Sequence, residues 1–179
     1  HLLCVYIIPL CLTITQINLV RLWDNILSKG DFFMDILSKL SERLNDLMNE
    51  AEIKTPELSE KTGIDQSAIA RILRAERMPS LNSLTIIADF FHCSTDYLLG
   101  LSDTLDEKTF AKRPPFNEQL TYLLKHFNIS KYRLEKETKL TEETVNRWHK
   151  GKYEPTVERL VRLAKYFDCS TDLILGREN

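Results

Sequence analysis

Apolar residues recur every three or four positions along most of this chain. In DILSKLSERLNDLMNEAEI, residues Ile36, Leu37, Leu40, Leu44, Leu47 and Met48 fall on one helical face. The stretch KTPELSEKTGIDQSAIARILRAERMPS predicts two shorter helices. Thr55 is placed to cap the first, with Pro56 at its opening position, where a missing N–H costs nothing. Gly63 is placed to stop it. Asp65 is placed to cap the second, which turns Ile69, Ile72 and Leu73 inward. Pro79 breaks the chain, and LNSLTIIADFF predicts a fourth helix with Leu81, Leu84, Ile87, Ala88 and Phe91 on one side. Ser94 or Thr95 caps a last short helix ending at Gly100.

The pattern is then written a second time. CSTDYLLG at 93–100 returns as CSTDLILG at 169–176, an offset of 76. The offset holds upstream without a gap: Leu44/Leu120, Ile53/Ile129, Leu58/Leu134, Thr62/Thr138, Arg71/Arg147, Pro79/Pro155, Leu84/Leu160, Ala88/Ala164 and Phe91/Phe167. Solenoid repeats run at roughly 20–50 residues. This unit is longer and about the size of a small independent domain, so two tandem domains are expected, at 34–101 and 116–179. The second has helices near 116–126, 131–138, 142–149, 157–166 and 171–175. Its turn, Lys139-Leu140-Thr141, lacks the glycine, and Thr141 and Thr156 serve as caps. Between the copies, SDTLDEKTFAKRPP at 102–115 is polar and closed by two prolines, which suits a semi-extended spacer.

Composition refines this only in places. The net charge is −2, with 28% charged and 43% hydrophobic residues, an ordinary globular balance. With five glycines and little strand-type alternation, the fold class is all-α. Residues 36–101 carry seven Lys/Arg and ten Asp/Glu (net −3), and residues 116–179 carry twelve and ten (net +2). Neither copy is strongly basic, so binding to nucleic acid would need a local patch. Cys93 and Cys169 occupy equivalent positions and read as small buried hydrophobes. The cysteines and histidines show no zinc spacing, and neither metal nor cofactor is expected.

The first 33 residues stand apart. LLCVYIIPLCLTITQINLV is long enough to span a bilayer, but Pro9, Gln16 and Asn18 weaken that reading. It lacks the basic start and small-residue cleavage site of a signal peptide. KGDFFM ends at Met34, the first methionine. Lys-Gly-Asp codons readily contain a bacterial ribosome-binding sequence, and the two phenylalanine codons supply a spacer. Residues 1–33 are therefore read as translated upstream DNA or a disordered apolar segment, with a membrane anchor as the alternative.

Two short helices joined by a brief turn form the helix-turn-helix signature. PELSEKTGIDQSAIARILRAERMPSLNSLTIIADFFHCSTDYLLG and YRLEKETKLTEETVNRWHKGKYEPTVERLVRLAKYFDCSTDLILG each resemble the five-helix DNA-binding domain of phage repressors and Cro proteins, the XRE family of bacterial regulators. The resemblance covers about 36–101 and 116–177 and implies two tandem five-helix repressor-like helix-turn-helix domains. It departs from the family at Leu73 and Ala75, where Glu and Gly are common, so a longer helix and a different loop are expected there.

The resemblance also implies a site. The second motif helix would lie in the major groove with its N-terminal residues at base edges. In copy one these are Gln66, Ser67 and Arg71; Gln pairs with adenine and Arg with guanine. Thr55 would sit by a phosphate, and Arg74 and Arg77 would be backbone-positioning charges. In copy two, Glu142 and Glu143 take the base-facing positions, where they repel phosphate but suit a helix N-terminus. Lys131, Asn146, Arg147, Lys150, Lys152 and Tyr153 lie on or beside the same face. Trp148 reads as core, and His149 as a surface or half-buried residue and not a ligand.

The expected function is sequence-specific, DNA-binding transcriptional regulation in the cytoplasm, as a repressor, with double-stranded DNA as partner. Two readers in one chain could imitate a symmetric dimer; direct repeats, a single half-site and a homodimer stay open because the linker does not fix orientation. The alternative is an antitoxin-like or accessory protein-interaction module. No GxSxG, HExxH, P-loop or dinucleotide motif is present, so an enzyme is not expected.

Overall fold

A computed structural model describes residues 29–105 and 109–178. Among these there are ten helices and no strand: α1 Lys29–Glu50, α2 Thr55–Thr62, α3 Gln66–Leu73, α4 Leu81–Phe90 and α5 Thr95–Leu98, then α6 Phe116–His126, α7 Lys131–Thr138, α8 Glu142–His149, α9 Val157–Phe167 and α10 Thr171–Leu175. Residues 1–28 lie outside the described residues. α1 runs through Met34 without a break, and Phe32 and Phe33 pack half-buried on the core.

The apolar faces define the packing. Leu40, Leu44, Leu58, Ile69, Leu84, Ile87 and Leu98 are fully buried in the first copy, and Leu120, Leu123, Leu134, Val145, Leu160, Leu163 and Ile174 in the second. Each buried aliphatic side chain contributes roughly 1.5–3 kcal/mol. The contacts α1–α3, α2–α3, α2–α4, α1–α5 and α4–α5 are matched by α6–α8, α7–α8, α7–α9, α6–α10 and α9–α10. Trp148 fills the place of Ile72 and meets Phe116 edge-on at 5.7 Å. Cys93 is buried and Cys169 half-buried; burial pushes both thiols up to about 12, so they stay protonated and unreactive.

Two local expectations need correction. Thr55 does not cap α2: it is the first helical residue, and Lys54 precedes it without a side-chain cap. Pro56 donates no N–H and is tolerated at either of the first two positions, so the helix starts one residue early. α3 is not lengthened by Leu73 and Ala75, since α3 and α8 both have eight residues. Ala75 adopts φ +52°, the left-handed turn that Gly151 makes at φ +66° in copy two. The stretch expected as a spacer makes contacts of its own with the second copy. Ala111 N–H donates to the Arg177 carbonyl at 2.9 Å, and Arg113 pairs with Glu154 at 2.6 Å.

The two copies meet at α5 and α10. Thr95 and Thr171 open these helices and are fully buried. An opening N–H has no acceptor inside its own helix. Here each finds one in the other copy: Thr95 N–H donates to Asp172 at 2.8 Å, and Thr171 N–H donates to both oxygens of Asp96 at 3.1 and 3.2 Å. The two threonine hydroxyls lie 2.7 Å apart. Arg177, buried, donates to Asp172 and reaches Asp89 on α4 at 2.6 Å, with its guanidinium over the Phe110 ring.

A buried charge stripped of its partner is expensive, so Asp172→Ala should cost about 3–5 kcal/mol in urea denaturation. Burial, outweighing the pull of Arg177, pushes the Asp172 carboxyl up to about 6. Between the ordinary aspartate value of ~4 and that value, the folded chain holds a proton that the unfolded chain has lost. The contribution of this carboxyl to stability should therefore fall as pH rises through that window and level off above it. Burial also raises the Asp96 carboxyl, so urea midpoints should fall more steeply through that window in wild type than in Asp172→Asn; parallel profiles would contradict the assignment.

Candidate nucleic-acid interface

α2 and α3 form the first motif. Gly63 closes α2 at φ +70°, with its N–H on the Ser59 carbonyl at 2.8 Å. A Cβ there would meet nothing within 4 Å, so glycine is favoured by backbone conformation alone. Lys139 makes the same turn at φ +56° in copy two, which is how that copy dispenses with glycine. Asp65 then starts α3, accepting from Ser67 N–H at 2.8 Å, Ala68 N–H at 3.4 Å and the Ser67 hydroxyl at 2.5 Å. The Ser67 hydroxyl and the two backbone N–H groups hold the Asp65 carboxyl below its usual range.

α3 is held by its apolar side. Ile69 and Ile72 are buried, and the Ser41 hydroxyl on α1 donates to the Leu73 carbonyl at 2.6 Å. The opposite face carries Gln66, Ser67 and Arg71, all exposed. Thr55, half-buried, opens α2. Arg74 is exposed but engaged, since its Nε and Nη2 reach the two oxygens of Glu76 at 2.7 and 3.1 Å. That pairing raises Arg74 and lowers Glu76 from their ordinary values. Arg77 is exposed beside it.

The second motif has the same backbone and a different surface. Ser130 caps α7 by accepting from Arg133 N–H at 3.2 Å, and Thr141 caps α8 by accepting from Thr144 N–H at 3.2 Å. Glu142 and Glu143 are exposed in the first turn of α8, where the helix dipole favours them. Arg147 bonds Glu143 one turn back at 2.5 Å and lies over the Tyr153 ring at 5.3 Å. Asn146 reaches Glu142 at 3.5 Å. Lys150 and Lys152 are exposed, Lys131 is half-buried, and His149 is on the surface. On α3, Ser67 stands where Glu143 stands on α8, so the first-copy arginine has no carboxylate one turn back.

All thirteen residues expected at the interface thus fall on or beside the two motifs. The docking cluster of Thr95, Asp96, Thr171, Asp172 and Arg177 was not anticipated from the sequence. One signal for it was present: both copies keep Thr and Asp after the capping serine, although the cap itself needs only the serine. Among the described residues, no group of His, Cys, Asp and Glu is placed to hold a metal, and no helix is long and apolar enough to cross a membrane.

Two short helices at a tight turn, with the second presenting a polar face, define a helix-turn-helix protein twice over. The chain belongs to the helix-turn-helix family: the HTH_3 model matches residues 54–98 and again 120–174. It is 34% identical over 71 residues to an uncharacterized HTH-type transcriptional regulator, YobD, of Bacillus subtilis strain 168. That match takes in 40% of this chain and 63% of the relative's length. No solved structure matches the chain.

Losing an N-cap typically costs about 1 kcal/mol. Asp65→Ala should destabilise the first copy by that amount, and Asp65→Asn should recover most of it, because an amide oxygen also accepts from the N2 and N3 N–H groups. Thermal unfolding of the two variants checks this.

Proposed function

We propose that the chain is a sequence-specific DNA-binding transcriptional regulator that acts as a repressor, with α3 and α8 entering the major groove. The observation that carries the reading is the two-sidedness of α3. Ile69 and Ile72 anchor one side, leaving Gln66, Ser67 and Arg71 on an exposed helix with the dimensions the groove admits. The N-terminus of α2, with Thr55, suits a phosphate, and Arg77 adds an exposed positive charge. In this reading Ser67 contributes less than Gln66 and Arg71, because its hydroxyl is engaged by Asp65. Repression follows from occupancy, since a protein bound over a promoter excludes polymerase. The relative named as a transcriptional regulator supports the assignment.

A second reading, an accessory module that binds protein, is favoured by the acidic first turn of α8 and by the engagement of Arg147 with Glu143. Salt separates the two. DNA binding through phosphate contacts weakens steeply as salt rises, whereas a protein partner held by apolar contacts is far less sensitive.

Arg71→Ala should cost about 1–3 kcal/mol of binding and relax preference at one base position. Arg77→Ala should weaken all sequences alike and flatten the salt slope by about one unit. Arg74→Ala should do less, because its charge is already matched by Glu76. Fluorescence anisotropy on selected and scrambled duplexes reads all three. Unchanged binding by Arg71→Ala would reject the docking of α3.

A further inference from the structure

We infer that one molecule of this chain is the complete reader of a two-part DNA site whose half-sites are inverted and unlike. This inference rests on the DNA-binding reading above and adds to it the orientation, the stoichiometry and the asymmetry of the target.

Orientation comes from the reciprocity of the α5–α10 contact. Positions 95 and 171 are equivalent, and so are 96 and 172. Thr95 bonds Asp172, Thr171 bonds Asp96, and Thr95 meets Thr171. A contact that comes with its exchanged twin, and with an equivalent residue touching its own counterpart, is the mark of a two-fold axis. A head-to-tail relation would use two different patches and give neither. The axis passes between the threonine hydroxyls. It therefore relates α3 to α8 by a half-turn, and two readers related in this way face inverted half-sites.

Stoichiometry comes from what the axis does not repeat. Arg177 of the second copy bonds Asp89 of the first. Their counterparts are Leu101 and Lys165. Pairing two second copies would set Arg177 against Lys165, and pairing two first copies would set Leu101 against Asp89. Only unlike copies match. On the other side of the axis, Lys165 stands over the Phe32 ring at 3.6 Å, a contact unlike the Arg177–Asp89 pair. The linker closes the match within one chain, with Phe110 beneath Arg177 and Ala111 bonded to its carbonyl. The face through which a one-domain protein would dimerise is thus already occupied by the chain's own second copy.

Asymmetry comes from the readers themselves. α3 offers Gln66 and an arginine with Ser67 one turn back, while α8 offers Glu142, Glu143 and an arginine bonded to Glu143. The two cannot prefer the same bases.

The test is selection of bound duplexes from random DNA with the full chain. The winning site is then rebuilt with one half turned round, or with either half duplicated, and the mass of the complex is measured by sedimentation. The expected result is an inverted, unlike pair of half-sites bound by one chain, with each rearrangement losing about tenfold or more in affinity, since single wrong base pairs already cost that much. Asp89→Lys, an exposed position outside the reading helices, should lower affinity for the whole site and leave affinity for an isolated half-site unchanged. Preference for a direct repeat, two chains per duplex, or an Asp89→Lys variant that binds the whole site like wild type would overturn the inference while leaving DNA recognition standing. Absence of any selected sequence would overturn both.

Discussion

Two buried threonines and the carboxylates that serve them hold this molecule in its shape. Thr95 and Thr171 each begin a short helix at the contact between the copies, sealed from water, with an N–H that its own helix leaves without an acceptor. A buried, unpaired N–H costs about as much as a lost hydrogen bond. Each helix is therefore completed only when the other copy supplies an aspartate. The same exchange that satisfies the two helix ends also sets the relation between the domains, and through it the relation between α3 and α8.

Around that exchange the two copies have diverged. Their interiors follow one plan, with matched helix contacts and Trp148 for Ile72. Their docking faces have become complementary, Arg177 to Asp89. Their exposed motif faces have become different. An arginine on α3 with a serine one turn back corresponds to one held by Glu143 on α8, and a glycine turn at Gly63 corresponds to a lysine turn at Lys139. In this account, a duplicated unit that remains in one chain is released from the requirement of self-complementarity that binds a homodimer.

Much of the fold was legible in the sequence because its signals are local. Helical spacing located ten helices. Asp65, Thr141 and Thr156 cap where their position before an apolar run said they would, and Gly63 stops α2. The errors were also local. Pro56 fits two opening positions equally well, so spacing alone cannot separate a capping Thr55 from one that opens the helix. Ala75 accepts the left-handed turn usually left to glycine, so α3 did not lengthen. The docking cluster was not legible, because the partners of Thr95 and Asp96 lie 76 or so residues away, and no periodicity encodes an axis. What remained in the sequence was indirect: a Thr-Asp pair kept in both copies, and opposite charges at Asp89 and Lys165. The candidate reading face was legible as a set of exposed residues on the motif helices. The engagement of Arg74 by Glu76 and of Ser67 by Asp65 depends on side-chain geometry that spacing does not supply.

The two copies dock through their helix N-termini. Amide hydrogen exchange at Thr95 and Thr171 in the full chain tests this docking most directly. Both amides open a helix, where an undocked copy would offer them only water. The account predicts that both are protected, to a similar degree, and that they open together as one unit. Rapid exchange at either amide, at the rate of an exposed first-turn N–H, would contradict it.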